Sequence, residues 1–442
     1  MLDWLGRTIA RWMDRRTRLA RFAKKALNHV FPDHWSFMLG EIALYSFIIL
    51  VITGTFLAMF YNSSDAPVIY HGSYKPLVGV RMGSEYESVL HISFDVMAGL
   101  LVRQMHHWAA DIFIAAIVVH LGRIFFTKAY RRPREINWVI GLTLLLFALA
   151  NGYFGYSIGG DLLGGAGMRI CYAIMLSIPV FGQWLAFLFL GSTVPASVTN
   201  PRFYSLHIFV VPAILAVLIG LHLAILWRQY HTNYPGPRRT DTTIVGSRLW
   251  PSYAFKSVGL FFLLFGLIAM LGGLVQIDPV WIYGPYNPLA EMPNAQPDWY
   301  LGWIEGAMRL FPGVHLRVAG YLIPEIFFPA ALMPGLLFLF LYLYPFLEQL
   351  FNFDTEPHNV LRLPSQAPFN TALGCSVAMY LLVLFFGAGD DVIAIATGTS
   401  VVTIRVILRA LVFAAPVVTF ALAYFLCARG RRHSALQHSG TD

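Results

Sequence analysis

The sequence predicts an all-α integral membrane protein with eight transmembrane helices, and two observations lead to that prediction. The chain has 442 residues, of which 57% are hydrophobic and only 12% charged, whereas soluble domains carry about 25% charged residues. The mean hydropathy is +0.62, and apolar runs of about twenty residues, the length that crosses a bilayer, recur along the chain. This composition excludes a soluble enzyme, a secreted disulfide scaffold and a disordered protein.

Eight apolar runs are long enough to be transmembrane helices. They are residues 37–60, 106–126, 137–156, 205–227, 256–275, 325–346, 371–388 and 402–427. A ninth run, 171–193, also has the required length, but Pro179 and Gly182 interrupt it, and proline disrupts a helix interior. For that run we therefore predict a bent helical hairpin lying at the membrane surface.

Basic residues are concentrated on one side of this topology. They precede the first span, lie between the second and third spans, and follow the last: Arg7, Arg11, Arg15, Arg16, Arg18, Arg21, Lys24, Lys25, Lys128, Arg131, Arg132, Arg134, Arg429, Arg431 and Arg432. Cytoplasmic segments carry the excess of Lys and Arg, so we predict that both termini are cytoplasmic. The net charge of +8 is then an orientation signal and gives no indication of nucleic-acid binding.

The N-terminal segment before the first span has its own pattern. Its apolar residues fall near one helical face with arginines between them: Leu5, Ile9, Trp12, Leu19 and Phe22. This pattern is typical of an amphipathic helix lying on the inner leaflet. A disordered basic arm is the alternative.

Four histidines lie at matched spacings in the second and fourth spans. His106 and His120 are fourteen residues apart, and His207 and His222 fifteen, so each pair returns to nearly the same helical face about 21–22 Å along the axis. Because the two spans run in the same direction, His106 lies level with His207, and His120 with His222. The spacing therefore predicts two bis-imidazole sites stacked through the membrane, each suited to a haem iron with two axial ligands.

Other interpretations of these histidines remain open. An intramembrane histidine is often a hydrogen-bonded polar residue between helices, and His107 is a second candidate ligand beside His106. His107 is disfavoured because it does not share a face with His120. The three cysteines, Cys171, Cys375 and Cys427, lie far apart and form no motif for zinc, a disulfide framework or covalent haem attachment.

Glycines repeat the histidine interval in the first and third spans. Gly40 and Gly54 are fourteen residues apart, as are Gly141 and Gly155. A glycine at the depth of each haem lets the helix backbone approach the porphyrin edge, where a side chain would collide. Glycine is also a common packing residue in membrane helices, so the prediction depends on the repetition of the interval.

Three arginines lie near the predicted ligands. Arg103 and Arg202 precede His106 and His207 at the outer end, and Arg123 follows His120 at the inner end. Charged side chains at these depths are costly unless they are paired, so we expect these arginines to bind haem propionates. The alternative is that they extend along the helix ends towards the lipid headgroups.

Five short motifs together resemble cytochrome b of the bc-type quinol:cytochrome c reductases, also called complex III. They are TGTFLAM at 53–59, RQMH at 103–106, HLGR at 120–123, GYS at 155–157 and PDWY at 297–300. The resemblance extends from about Trp35 to the end of the last span. The interval between His207 and His222, the segment 231–237 and the Asp-Trp form of the PDWY tetrapeptide are most similar to the actinobacterial branch.

The resemblance implies an N-terminal four-helix bundle that holds two non-covalent b-type haems, followed by four further spans. His106 and His207 would bind the outer, low-potential haem, and His120 and His222 the inner, high-potential haem. The implied division of the chain is an amphipathic cytoplasmic segment, a dihaem domain, a C-terminal domain with the outer quinol loop, and a cytoplasmic tail: 1–36, 37–250, 251–428 and 429–442.

The resemblance also implies an activity and partners. Quinol, in actinobacteria menaquinol, would be oxidised at the outer face with one electron passing to a Rieske iron–sulfur protein. The other electron would pass through both haems to quinone at the inner face, coupled to proton translocation. The complex would be a homodimer with a c-type cytochrome subunit in the bacterial plasma membrane, with or without a bound cytochrome c oxidase in a supercomplex. The alternatives are a dihaem cytochrome b without a Rieske partner and a transporter with structural histidines.

The outer quinol site is implied between the surface hairpin and the loop that carries Pro297, Asp298, Trp299 and Tyr300. Asp298 replaces the more usual glutamate and is expected to accept a quinol proton; the alternative is that it caps or braces the loop. Tyr300 is expected to be a second polar group beside the quinol, and Trp299 to pack. After Ile158 the family's usual Pro-Trp-Gly-Gln is replaced by GGDL at 159–162, so the pocket's shape must differ.

The inner quinone site departs further from the mitochondrial-type pattern. Trp227 and Ser257 stand where those relatives have a histidine and an aspartate that protonate quinone. His231 and Lys256 are the residues expected to serve instead.

Overall fold

The computed structural model describes residues 2–191, 197–290, 292, 296–318 and 320–439. Within them, eight helices are long and apolar enough to cross a membrane, as the sequence predicts. These spans are Leu39–Ala58, Gly99–Phe126, Glu135–Ser157, Thr199–Gln229, Leu249–Leu274, Phe328–Asn352, Pro368–Ala388 and Val401–Arg431. The protein is therefore an all-α, multi-pass membrane protein.

The helices of the chain are numbered in order. They are α1 Leu2–Thr17, α2 Leu19–Leu27, α3 Leu39–Ala58, α4 Ser84–Phe94, α5 Gly99–Phe126, α6 Glu135–Ser157, α7 Leu162–Ser177, α8 Gly182–Leu190, α9 Thr199–Ser205, α10 Val211–Gln229, α11 Ala254–Leu274, α12 Val280–Tyr283, α13 Gly302–Leu310, α14 Met333–Asn352, α15 Pro368–Ala388, α16 Asp390–Thr397 and α17 Val401–Ser439. Five-residue π-helical turns at Leu206–Val210, Leu249–Tyr253 and Phe328–Leu332 extend the fourth, fifth and sixth spans.

In the described part of the chain, strands occur as three antiparallel two-stranded pairs in the connections. Val30–Phe31 pairs with Ser247–Arg248, Pro67–Ile69 with Arg81–Gly83, and Leu316–Val318 with Tyr321–Ile323. The first pair ties the N-terminal segment to the segment before the fifth span. This pairing brings His29, Phe31 and Asp33 to the entrance of that span.

The N-terminal segment is helical, so the disordered arm is not what the structure shows. The predicted single helix is two, α1 and α2, because Arg18 between them has a left-handed backbone with φ 54°. The Arg16 guanidinium lies 4.2 Å from the centre of the Trp12 ring. That this segment rests on a lipid surface stays a prediction.

The apolar run after the third span forms a bent hairpin, as predicted. Its two helices, α7 and α8, are separated at Ile178–Phe181, the segment that contains Pro179. The hairpin begins earlier than the apolar run because Asp161 caps α7, accepting hydrogen bonds from the backbone N–H groups of Leu163 and Gly164 at 3.0 and 3.1 Å. The capping aspartate belongs to the GGDL segment that replaces the family's usual sequence.

The first four spans pack as a bundle, with α3 along α5 and α10 along α6. The fifth span packs on this bundle as well, since Leu264 and Ile268 share a buried cluster with Ile49 and Met105. A second layer is built from α13, α15 and α17 around Leu384. The fifth span thus packs with the first bundle. The division implied by the resemblance instead assigns that span to the second domain, which begins at residue 251.

Candidate functional site

The structure brings His106 and His207 together across the bundle. The centres of their imidazole rings are 6.1 Å apart, and the ring planes cross at 81°. Metal–imidazole bonds of about 2 Å on each side of one metal atom place the two ring centres about 6 Å apart. The outer pair therefore fits the axial ligation of one haem iron.

Hydrogen bonds orient both rings with one nitrogen left for a metal. The Nδ1 atom of His207 lies 2.9 Å from the carbonyl oxygen of Asn151. Thr53 donates its hydroxyl hydrogen to the Ile49 carbonyl at 2.7 Å, so its oxygen accepts from Nδ1 of His106 at 2.9 Å. Metal-binding histidines usually donate their other ring N–H in this way, which would leave Nε2 of each ring free to bind a metal.

The outer pair lines a cavity of about 430 Å³ whose wall is mostly apolar. This volume lies within the range of about 300–1,000 Å³ that is typical of ligand pockets. The same cavity is lined by Arg103, Asp298 and Tyr300. The predicted haem ligands and the predicted quinol residues therefore face one continuous space.

The inner pair occupies the other end of the same two helices. His120 faces Gly40 of the first span, and His222 faces Gly141 of the third. The Nδ1 atoms of His120 and His222 are buried and have no side-chain hydrogen-bond partner among the described residues. A second haem held by this pair stays a prediction.

Each of the four predicted glycines faces one of the four histidines. A Cβ atom added to the glycine would lie 3.3 Å from His120 at Gly40, 3.0 Å from His106 at Gly54, 3.8 Å from His222 at Gly141 and 2.4 Å from His207 at Gly155. The contact that the structure shows is thus with the ligand ring itself. Contact with a porphyrin edge, the role expected from the sequence, stays a prediction.

Two of the three predicted arginines keep donors available for an anion. Arg103 donates through Nη2 to the backbone carbonyl of Asp278 at 3.0 Å and to its carboxylate at 3.3 Å, while Nη1 is buried without a partner among the described residues. The Arg123 guanidinium lies 4.1 Å from the centre of the Phe37 ring, and its Nε and Nη2 are likewise buried and unpartnered in the described part of the chain. The free donors of both guanidinium groups are suited to the carboxylates of haem propionates.

Arg202 has a different environment from the one expected. It donates through Nη1 to the carbonyl oxygens of Phe187 and Leu188 at 2.7 and 2.9 Å. These carbonyls belong to the last turn of α8, and basic side chains commonly bind the free carbonyls at a helix C-terminus. The Arg202 guanidinium therefore holds the surface hairpin and does not line the outer cavity.

The predicted quinol tetrapeptide forms a hydrogen-bond network at the cavity wall. Asp298 follows Pro297 directly before a 3₁₀ turn, Trp299–Leu301, and makes no capping bond there, while the alternative that it braces the loop stays open. One carboxylate oxygen lies 2.9 Å from Nε2 of His107, and the other accepts from the Tyr300 hydroxyl at 2.9 Å. Trp299 is 40% exposed, and its ring meets the Tyr300 ring edge-on with centres 6.0 Å apart, so its expected packing role stays a prediction.

His107 is a partner of the predicted quinol loop that sequence reasoning missed. It was considered only as a rival haem ligand, but in the structure it is the partner of Asp298, 191 residues away. Consecutive helical residues point about 100° apart, so His107 faces the loop while His106 faces the cavity centre. The signal available in the sequence was the His106-His107 dipeptide, because adjacent helical residues cannot both face the same partner.

Three carboxyl groups outside the spans surround the outer cavity with perturbed acidity. Burial, reinforced by the charge of Asp278, raises the pKa of Asp161 to about 7. Burial also raises the pKa of Asp278, against the lowering effect of Arg103, and the pKa of Glu85 rises to about 7 for the same reason. Asp161 and Glu85 therefore titrate near neutral pH.

The predicted inner-site residues Trp227 and His231 lie in an aromatic cluster. Trp227 stacks on His29 with ring centres 4.4 Å apart, and His231 lies 4.7 Å from Phe31. Burial, together with nearby His29 and Arg134, lowers the pKa of His231 to about 3. His231 is therefore neutral at pH 7, which disfavours its expected role as a proton donor.

The other two predicted inner-site residues bind carboxylates that sequence reasoning missed. Lys256 pairs with Asp33 at 2.7 Å. Ser257 donates to Glu41 at 2.6 Å. Glu41 directly follows Gly40, the glycine of α3 that faces His120.

Comparison with known proteins agrees with this geometry. Residues 111–285 match the family described as "Cytochrome b(N-terminal)/b6/petB". The chain is similar to the cytochrome bc1 complex cytochrome b subunit of Mycobacterium tuberculosis strain H37Rv, with 47% identity over 88% of this chain and 72% of the relative. It is 42% identical to the subunit of that name from Streptomyces coelicolor, over 96% and 77% of the two chains.

A solved structure titled "Hyperthermophilic respiratory Complex III" has the same fold. Its TM-score is 0.71 at 20% identity, and the alignment covers 94% of this chain and 98% of that one. At this identity the likeness speaks for the fold alone, whereas the two actinobacterial relatives, similar over most of both chains, carry the assignment. The chain therefore belongs to the family of cytochrome b subunits of the cytochrome bc1 complex.

Proposed function

We propose that this chain oxidises menaquinol at its outer cavity and reduces quinone at its inner end. Its family makes it a haem-binding subunit of complex III, a quinol:cytochrome c oxidoreductase, and leaves no support for the transporter alternative. The observation that carries the proposal is the single cavity that joins the histidine pair, His106 and His207, to Asp298 and Tyr300. Electron and proton acceptors for one quinol thus lie in the same space.

Two haems are proposed, held by His106 with His207 and by His120 with His222. The free donors of Arg103 and Arg123 would bind their propionates. A haem held by two imidazoles accepts and passes on one electron at a time, which is the chemistry needed to divide the two electrons of quinol.

The residues of the chain handle one of the two quinol protons. Asp298 is the proposed acceptor, because its carboxylate lines the cavity and is held on both oxygens. His107 fixes its direction, and Tyr300 keeps the second oxygen oriented by donating to it. The other proton and the first electron are proposed to leave with the Rieske protein.

The proposed assembly is a homodimer that contains a Rieske protein and a c-type cytochrome, with an oxidase as an optional further partner. The proposed location is the bacterial plasma membrane, with both termini in the cytoplasm. The basic residues before the first span and after the last support this orientation. The proposed domains are the 37–250 and 251–428 segments, with the fifth span packed on the first.

The test is replacement of Asp298 in the intact complex. Asp298→Asn removes the proton acceptor but keeps the shape, so menaquinol oxidation should slow by about a hundredfold or more while the haem spectrum stays unchanged. Asp298→Glu, the matched variant, should retain most of the turnover. Wild-type turnover in Asp298→Asn would return Asp298 to a structural role.

A further inference from the structure

A carboxylate of the first span lies inside a group of hydroxyls at the inner end of the bundle. Glu41 accepts from the Ser257 hydroxyl at 2.6 Å through one oxygen and from the Tyr253 hydroxyl through the other. The Tyr45 hydroxyl lies 3.5 Å from the first oxygen and also contacts Ser257. Among the described residues, no cation is a hydrogen-bond or salt-bridge partner of Glu41.

Glu41 lies in the first turn of α3, at the end of the first span. The helix N-terminus favours a negative charge there, and ionisable residues of membrane spans often serve proton or ion pathways. Hydroxyl groups stabilise a carboxylate by donation, and each can also accept a proton as it gives one up. Three hydroxyls in contact with one carboxyl group therefore form a chain along which protons can move.

The residue before Ser257 belongs to an exposed ion pair. Lys256, next to Ser257 in the chain, pairs with Asp33 at 2.7 Å, and the Ser247 hydroxyl donates to the same carboxylate at 2.8 Å. The side chains of Lys256 and Asp33 are 52% and 44% exposed. Water thus reaches the Asp33–Lys256 pair, and Lys256 directly precedes Ser257, whose hydroxyl binds Glu41.

Aromatic rings meet the polar group at Tyr253. The Tyr253 ring stacks on Phe31 with centres 4.2 Å apart and planes 19° from parallel, while its hydroxyl donates to Glu41. Flat aromatic side chains provide a stacking surface for a planar ring. Gly40, the residue before Glu41 on α3, faces His120, so this group lies near the depth of the inner histidine pair.

We propose that Glu41 is the proton donor to the quinone that is reduced at the inner face; this inference rests on the proposed function. For each electron that reaches the quinone, the O–H bond of the Glu41 carboxyl breaks and an O–H bond forms on a quinone oxygen. The carboxylate regains a proton through Tyr253 and Ser257 from water at the Asp33–Lys256 pair. Two such cycles convert quinone to quinol with two electrons and two protons.

The elements packed around Glu41 carry few other groups that serve this purpose. The ionisable side chains are Tyr45 on α3, Tyr253 and Lys256 at the start of the fifth span, Asp33 before α3, and His120 and Arg123 on α5. Among them, Asp33 is the other carboxylate, and it is bound to the exposed lysine. Glu41 is therefore the carboxylate next in sequence to the glycine that faces His120.

The test compares Glu41→Gln with Glu41→Asp and with Glu135→Gln, a matched carboxylate at the start of α6, in the intact complex. Menaquinol is mixed with oxidised enzyme to reduce the haems through the outer site, and their reoxidation by added menaquinone is then followed by visible absorbance. In Glu41→Gln the reduction rate should equal that of wild type, and the reoxidation rate should fall by about a hundredfold. Glu41→Asp should recover part of that rate, and Glu135→Gln should resemble wild type.

Each other outcome has a defined meaning. Wild-type reoxidation in Glu41→Gln, or equal slowing in Glu135→Gln, would overturn the role of Glu41. Absence of haem reduction by menaquinol in the wild-type complex would refute the proposed function instead. If Glu41→Gln does not assemble, Tyr45→Phe combined with Ser257→Ala removes two hydroxyls and keeps the carboxyl group. That variant should also slow reoxidation, and an unchanged rate would count against the proposal.

Discussion

Replacing the histidine-facing glycines by alanine, one at a time, produces a graded series of collisions. The added Cβ would lie 2.4 Å from the His207 ring at Gly155 but 3.8 Å from the His222 ring at Gly141. Contacting carbon atoms prefer separations of about 3.5–4.0 Å. The His207 ring must therefore move by about 1 Å in Gly155→Ala, whereas the His222 ring can stay in place in Gly141→Ala.

The energies follow from the same distances. Alanine in a helix interior is favoured over glycine by about 0.5–1 kcal/mol, and Gly141→Ala should stabilise the protein by up to that amount. Overpacking typically costs about 1–3 kcal/mol, so Gly155→Ala should be destabilising by about 1–2 kcal/mol. The displaced group is the proposed haem ligand itself. Gly155→Ala should therefore weaken haem binding more than it lowers the stability of the fold.

The assay is a reduced-minus-oxidised spectrum with a redox titration for each variant. Gly155→Ala should lose the outer haem and keep the inner one, and Gly141→Ala should keep both. Gly54→Ala and Gly40→Ala, with contacts of 3.0 and 3.3 Å, should fall between them. Two unaltered haems in Gly155→Ala, or equal losses in Gly141→Ala, would refute the reasoning.

Three further predictions concern other sites. His207→Ala should remove the outer haem spectrum and leave the inner one; loss of neither would contradict the pairing. Asp390 is fully buried and pairs with Arg309 at 2.8 Å and Arg405 at 2.5 Å. Asp390→Asn should therefore lower the unfolding free energy by about 3–5 kcal/mol. An unchanged melting temperature in detergent would contradict this. Because burial raises the pKa of Glu85 to about 7, the folded state binds the extra proton and stability should fall as pH rises from about 4.5 to 7. Glu85→Gln should flatten that part of the melting-temperature curve, and parallel curves would argue against it.

Much of the site was predictable because it depends on positions along single helices. The rise and turn of an α-helix place His106 and His120 on one face, and parallel spans then place each beside its partner. The structure puts His106 and His207 6.1 Å apart, as that reasoning requires. The glycine repeat was predictable for the same reason, although the group that each glycine faces was not.

The missed contacts join segments that are far apart in sequence. Asp298 and His107 are 191 residues apart, and Glu41 and Ser257 are 216 apart. Such pairs depend on the rotation of each helix and on where a loop folds back, and neither leaves a periodic pattern in the sequence. For Arg202, closeness to His207 in the sequence suggested a propionate as its partner. In the structure its guanidinium binds the carbonyls of α8.

The most direct test of two stacked histidine-bound haems is a haem count combined with an anaerobic redox titration of the purified complex. The account predicts two b-type haems per chain, with bis-histidine spectra and two distinct midpoint potentials in equal amounts. It also predicts that His222→Ala removes the higher-potential component alone. One haem per chain, or a single potential that both His207→Ala and His222→Ala abolish, would contradict it.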